Sequence, residues 1–362
     1  MLLDVDVRAA RLDRELRTAV SSREGRATKA PPSYAGGDSG MTSVTRALVT
    51  GGAGFIGSHL VDELVERGIE TWVLDNLSTG SIDNLRRNSG SKLLHLCVGE
   101  VGRIDRLPND LGDVDVVFHE AAIVSAPESV AHPMAVHEVN VNAMLELMNF
   151  CVKRGVKRIV FASSAAVYGS IRKPPASESD FCAPSTPYGA SKLSGEGYLN
   201  AYHKSYGLET VILRYFNAYG PRQRMNDDYS GVMTIFAKRL MQRKTPTIFG
   251  DGQQTRDFVN VADIVQANML AMESKAAIGE TFNVASGHSI TILELLQVLQ
   301  SVTGVTVQPR FLPPRPGDDR IGVASISKIS SLLGYKPRVP LSRGLASFVD
   351  QMRTQHAELL VA

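Results

Sequence analysis

Residues 46–59 read Arg-Ala-Leu-Val-Thr-Gly-Gly-Ala-Gly-Phe-Ile-Gly-Ser-His, and this stretch decides the fold. Ala47 to Thr50 is a short apolar and β-branched run that predicts a strand, and His59 to Arg67 carries the 3.6-residue apolar spacing of a helix. Between them lie G-x-G-x-x-G (Gly52, Gly54, Gly57) and G-x-x-G-x-x-G (Gly51, Gly54, Gly57). A glycine-rich turn can be no more than a tight turn; its place between a strand and a helix gives this one meaning. Glycines there let a pyrophosphate reach the backbone N–H groups at the positive end of the helix. Asp75 ends the next predicted strand, 18 residues beyond Gly57, near the ~20 at which an acidic residue meets an adenosine ribose. A carboxylate accepts from a ribose 2′-OH but repels a 2′-phosphate, and Asn76 rather than Arg follows it. The reading is a dinucleotide site that favours NAD over NADP.

Outward from this loop the rhythm repeats. Glu70 to Leu74, Lys92 to Cys97, Val114 to His119, Arg158 to Ala162 and Glu209 to Arg214 read as strands, while Met134 to Arg154 and Tyr188 to Tyr206 read as helices. Strand–helix alternation of this kind implies α/β architecture, a doubly wound parallel sheet of Rossmann type covered on both faces. Residues 41–214 are expected to form it. Beyond Tyr215 the pattern turns irregular, with helices at Gly231 to Gln242 and Thr291 to Ser301, short strands near Thr247 and Thr281, and a Pro-rich loop at Leu312 to Gly317. Residues 215–362 are read as a smaller substrate-binding α/β domain, with some segments packing back on the first. Residues 1–40, rich in Ser, Gly, Pro and charge after a possible short helix, are read as a flexible tail.

Composition narrows the function classes. The 362 residues suffice for about two domains, and Lys+Arg 39 against Asp+Glu 37 leaves a net charge of +2, which gives no general attraction to nucleic acid or an anionic membrane. Cys97, Cys151 and Cys182 fit neither a disulfide framework nor a zinc site, so a cytoplasmic protein without a metal is expected. No apolar run approaches the ~18 residues of a membrane span. His132 and His137 lack a third ligand, and Lys238, Arg239, Arg243 and Lys244 read as a solvated helix end.

A second chemical signal lies in Tyr188-Gly-Ala-Ser-Lys192, whose i,i+4 spacing puts a phenol and an ammonium on one helix face. A cation so close is expected to lower the tyrosine pKa from about 10 toward neutrality and so make a base for a hydroxyl proton. The same spacing also occurs in ordinary surface pairs. Here Ser163 and Ser164 end the fifth predicted strand and add hydroxyls at the carboxyl edge of the sheet, where doubly wound folds bind ligands.

From about Arg46 to Lys336 the motifs together resemble the extended short-chain dehydrogenase/reductase family, and within it the nucleotide-sugar 4-epimerases similar to UDP-glucose 4-epimerase. They include residues 74–80 (LDNLSTG), 118–122 (FHEAA), 163–169 (SSAAVYG), 214–222 (RYFNAYGPR), 249–252 (FGDG), 256–259 (RDFV) and 315–318 (RPGD). The resemblance implies that Tyr188 is the base, Lys192 its electrostatic partner and a ribose ligand, and Ser164 the hydroxyl that holds the sugar oxygen. It implies cofactor contacts at Gly51, Gly54, Phe55, Ile56, Gly57, Asp75, Asn76, Glu100, Val101, Ala121, Ala122 and Asn140. Glu100 stands where an Asp usually meets adenine. Asn217, Arg256 and Arg315 would grip the diphosphate, Asp318 the nucleotide ribose, and Phe249 would lie beside the base. Gly322 falls beside the sugar C2 substituent, where a glycine is expected to leave room for an acetamido group. A homodimer packed through the helices Met134 to Arg154 and Tyr188 to Tyr206 is implied as well.

Two other readings stay open. In nucleotide-sugar 4,6-dehydratases and decarboxylases of this kind, acidic groups follow the active hydroxyl residue; here Ala165 and Ala166 stand there, and methyl groups transfer no protons. Ala166 also lacks the second hydroxyl, often Thr, of many close epimerases. The other reading is a non-catalytic NAD-sensing or scaffold protein, since a fold alone proves no activity.

Overall fold

The glycine loop is the hinge of the architecture. In the computed structural model, which describes residues 44–107, 111–224, 231–314 and 320–361, β1 (Arg46–Thr50) leads directly into it and a helix, Phe55–Glu66, leaves it. The tail 1–40, Arg315 and Asp318 lie outside the described residues. β2 (Glu70–Asp75), β3 (Leu94–Val98), β4 (Val116–His119), β5 (Arg158–Ser164) and β6 (Glu209–Tyr215) follow, with a further strand at Thr281–Val284. They form one seven-stranded sheet in the order Thr281–Val284, β6, β5, β4, β1, β2, β3, every pairing parallel. The order reverses between β1 and β4, which opens a crevice at their carboxyl ends, where such sheets bind ligands.

β5 and β6 are buried almost end to end, as strands covered on both faces must be. One face packs Val49, Leu60, Phe118, Val160, Leu213 and Ile264; the other packs Leu48, Val117, Leu147, Ile159, Phe161 and Leu199. Leu199 belongs to the helix Pro187–Tyr206, and Ile264 to the helix Val261–Glu273, so these two helices cover opposite faces.

Two expectations need correction. The first helix starts at Phe55 rather than His59, because Gly54 already takes the N-cap position with no side-chain cap. The helix read from Met134 to Arg154 is present without a break but is not a regular α-helix: Pro133–His137 and Ala143–Arg154 are joined through a π turn at Glu138–Asn142. The π turn carries buried Asn140, whose side chain accepts from Ile123 N at 2.9 Å and donates to Ile123 O and Ser191 Oγ at 3.0 Å each. Those three bonds to distant residues fix a local geometry that apolar spacing does not report. π turns inside helices recur at functional sites.

Beyond Tyr215 the chain forms short two-stranded pairs: Ala218–Tyr219 with Val259–Asn260, Thr255–Asp257 with Ser289–Thr291, and Thr247–Phe249 with Arg310–Leu312. A separate core of Tyr219, Phe236, Leu295, Leu299 and Phe348 holds them. The helices Val232–Met241 and Ile292–Thr303 match the sequence reading within two residues at each end, and a capping box between Thr291 and Glu294 starts the second. The strand Thr281–Val284, by contrast, returns to the main sheet against β6.

Candidate active site

Close approach explains the glycines. Gly51 has a left-handed φ of +70°, and a Cβ there would lie 2.7 Å from Ala121 N and 2.8 Å from Ala121 Cα. A side chain at Gly57 would strike the Gly51 carbonyl, and one at Gly54 would meet it at 3.0 Å. The loop after β1 therefore lies directly against the loop after β4, where Ala121 and Ala122 stand. Phe55 and Ile56 open the helix whose uncapped N-terminus faces this cradle. A cradle that any Cβ would fill, beside free helix N–H groups, suits a pyrophosphate.

Asp75 is buried, and its carboxylate accepts from Ala53 N at 3.0 Å and Leu77 N at 2.8 Å. These bonds aim it at the glycine loop and leave it further lone pairs for a ribose hydroxyl. Asn76 beside it is exposed. Glu100 is exposed at the end of β3, 3.6 Å from Arg103 Nε, with Val101 buried next to it. The Asn140 side chain ties the backbone of Ile123 to Ser191 on the Tyr188 helix.

The candidate reacting groups come from β5 and the helix Pro187–Tyr206. Thr186 caps that helix by accepting from Gly189 N at 3.2 Å. A Cβ at Gly189 would sit 2.6 Å from Ala166 O, so glycine lets the helix start touch the Ser164–Ala166 turn. Tyr188 thereby comes close enough to Ser164 for the two hydroxyls to interact electrostatically. One turn on, buried Lys192 donates to Ala162 O at 2.7 Å and lies 4.9 Å from the Phe161 ring centre.

Electrostatics here run against the expectation for Tyr188. Burial pushes its phenol above the ordinary value, and the Glu120 charge adds to the rise while the nearby Ser164 hydroxyl opposes it. Lys192 moves the other way, down to about 8, because burial outweighs the Glu120 and Glu196 carboxylates. The pair is poised by desolvation, which sequence spacing cannot show. His119, buried on β4 and 2.7 Å from Thr50 Oγ1, falls to about 3 through burial and then the Lys192 charge.

Sequence reasoning missed two groups. Glu196 forms a buried two-pronged pair with Arg214, at 2.9 and 2.7 Å, and accepts from Ser163 Oγ at 2.5 Å. Its signal was its place four residues after Lys192. Glu120 accepts from the Tyr215 hydroxyl at 2.8 Å, and burial lifts it to about 7.

On the substrate side, Asn217 is exposed past β6 and donates to Asp257 O at 2.7 Å. Asp257 takes its own partners from Ser286, Gly287 and Ala324, so its carboxylate braces the short strand that carries Arg256. Phe249 lines a cleft of about 620 Å³ with Gln254, Phe311, Leu312 and Arg320. Gly322 is buried, and a Cβ there would meet Thr255 O at 3.1 Å and Arg256 Cδ at 3.3 Å. Its missing side chain thus makes space for the stem of Arg256, which the expectation of a gap beside the sugar did not include.

The sequence profile of the NAD-dependent epimerase/dehydratase family matches residues 47–285. The chain belongs to this family. Among curated members, a putative UDP-glucose 4-epimerase of Methanocaldococcus jannaschii is 36% identical over 310 residues, covering 85% of this chain and 99% of that protein. The crystal structure of UDP-glucose 4-epimerase from Thermotoga maritima with UDP-glucose is 38% identical, with TM-score 0.80 over 86% of this chain and 100% of that one. A UDP-N-acetylglucosamine 4-epimerase from Methanobrevibacter ruminantium, in complex with UDP-N-acetylmuramic acid, is 37% identical, with TM-score 0.81 over 87% and 100%. Membership of the epimerase/dehydratase family agrees with the parallel sheet and with the glycine cradle at its switch point. Among the described residues, no helix is long and apolar enough to cross a membrane, and no group of three or more His, Cys, Asp or Glu could hold a metal ion.

Proposed function

We propose that the protein inverts C4 of a nucleotide-diphosphate sugar, of the UDP-glucose or UDP-N-acetylglucosamine type, through a transient 4-keto sugar. The observation that carries this reading is the buried Tyr188 phenol brought near Ser164, with Lys192 one turn behind it and only Ala165 and Ala166 following Ser164. A base, a hydroxyl and a cation suffice to move one proton from the sugar 4-OH. Elimination or decarboxylation would need further acidic groups in that run, and two methyl groups supply none.

The residues fit NAD. Gly51, Gly54, Phe55, Ile56 and Gly57 would hold its pyrophosphate, Asp75 and Asn76 its adenosine ribose, Glu100 and Val101 the adenine side, and Ala121 and Ala122 the wall. NAD, when bound, supplies a reversible hydride acceptor and, oxidised, a positive charge in the same crevice. Tyr188 takes and returns the hydroxyl proton, Ser164 holds the sugar oxygen, and the Lys192 ammonium stabilises the phenolate and donates to ribose. Asn217 and Arg256 grip the diphosphate, with Arg315 and Asp318 assigned beside them by the family motif, and Phe249 offers its ring to the base. In this reading residues 41–214 carry the cofactor and 215–362 the nucleotide sugar, in a cytoplasmic homodimer. Val130, Met134, Tyr198 and Tyr206, 64%, 78%, 41% and 52% exposed, offer apolar side chains to a second copy.

The test is product analysis by NMR after the NAD-loaded protein meets UDP-, dTDP-, GDP- and CDP-sugars. Inversion at C4 is expected. A 4-keto-6-deoxy sugar or loss of CO₂ would assign a dehydratase or decarboxylase, and bound NAD with no product would assign a sensing protein. Tyr188→Phe should lower turnover by roughly 10² or more while nucleotide-sugar binding survives.

A further inference from the structure

Glu120 has no part in the chemistry derived above, yet the fold holds it with unusual definition. Its Oε1 accepts the Tyr215 hydroxyl at 2.8 Å, and that hydroxyl accepts Asn268 Nδ2 at 2.7 Å. The same amide nitrogen donates to Ile264 O at 3.0 Å, and Asn268 is fully buried. Each direction is forced. A carbonyl only accepts, so the atom facing Ile264 O is the amide nitrogen; the tyrosine hydroxyl accepts from that nitrogen and has one proton left to give, which goes to Glu120. A chain that ends by donating to a carboxyl oxygen favours the carboxylate.

That carboxylate stands level with the catalytic pair. His119 pairs with Phe161, so the next residue, Glu120, comes level with Ala162, whose carbonyl accepts Lys192 Nζ. The Asn268 helix covers one face of the sheet and the Tyr188–Lys192 helix the other.

We propose that Glu120 is a positioning residue of the reaction: its carboxylate, aimed by Asn268 and Tyr215, is the counter-charge that keeps the buried Lys192 ammonium protonated. The proposal takes the reaction itself from the epimerase reading. Tyr215 from β6 bonds Glu120, and Lys192 and Tyr188 from the helix lie near enough to feel its charge. Its strand neighbour His119 is held neutral by burial, and Glu196 acts on Lys192 from the following turn. The Glu120 charge raises the affinity of both Lys192 and Tyr188 for protons, so removing it lowers both.

The test is the pH profile of kcat/KM in the NAD-loaded full-length protein. Glu120→Gln should move the basic limb, where Lys192 loses its proton, to lower pH by about half a unit or more, and Glu120→Asp should leave it near its original place. Activity lost with the limb unmoved would overturn the proposal. If Glu120→Gln does not fold, Tyr215→Phe, which withdraws the proton donor, should move the limb the same way by less; an unmoved limb there has the same overturning force. A second readout needs no turnover: the ultraviolet difference titration of Tyr188, wild type minus Tyr188→Phe, repeated with Glu120→Gln in both proteins. The phenol should titrate at lower pH in the Gln background. An unchanged titration overturns the role of Glu120, whereas a wild type inactive on every nucleotide sugar overturns only the epimerase reading.

Discussion

Replacing Gly51 with alanine tests the cofactor cradle at its narrowest point. The new Cβ would lie 2.7 Å from Ala121 N and 2.8 Å from Ala121 Cα, against an ordinary contact of at least 3.4 Å. The loops after β1 and β4 would have to part by about 0.7 Å, an overpacking that costs roughly 1–3 kcal/mol. Alanine must also hold the φ of +70°, at about 1–2 kcal/mol more. Part of this, roughly 2–5 kcal/mol in all, is relieved by moving the loop, which misaligns the N–H groups meant for the pyrophosphate. We expect NAD affinity to fall at least tenfold, about 1.4 kcal/mol, by calorimetry on the apo protein, with a lower urea midpoint. Affinity and midpoint both equal to wild type would refute the argument that close approach demands glycine here.

Because Asp75 opposes a 2′-phosphate, NAD should bind at least about tenfold more tightly than NADP, and equal affinity by calorimetry would remove Asp75 from the ribose site. His119 titrates near 3 when folded and near 6.5 when unfolded, so only the unfolded chain takes up a proton between those values. Its share of stability is whole above about pH 6.5 and is lost at about 1.4 kcal/mol per unit as pH falls toward 3; His119→Gln should flatten the urea-midpoint profile in that window. Glu196→Ala strips the partner from the buried Arg214 guanidinium and should cost about 3–5 kcal/mol in urea unfolding, and a loss below about 1 kcal/mol would show that solvent reaches the pair.

What the sequence revealed was local. The glycine loop, Asp75 and the Tyr188–Lys192 spacing lie within short windows, and strand burial follows from runs of apolar residues, so the parallel sheet and the helix that carries Tyr188 and Lys192 could be read directly. What it hid depends on residues far apart in the chain. The π turn at Glu138–Asn142 is set by Asn140 meeting Ile123 and Ser191. The rise of the Tyr188 pKa needs burial, where spacing alone pointed to a fall. Gly322 meets Arg256 because Ile321 pairs with Thr255, far earlier in the chain, and Glu120 gains its partners from β6 and from the helix Val261–Glu273.

The central claim is that one hydrogen leaves and returns to C4 while Tyr188 carries the hydroxyl proton. A UDP-sugar bearing deuterium at C4 tests this most directly, with the NAD-loaded protein in ordinary water and the product read by NMR. The account predicts an inverted sugar with the deuterium still at C4. Deuterium at C6 with loss of water, deuterium washed into solvent, or inversion undiminished in Tyr188→Phe would contradict it.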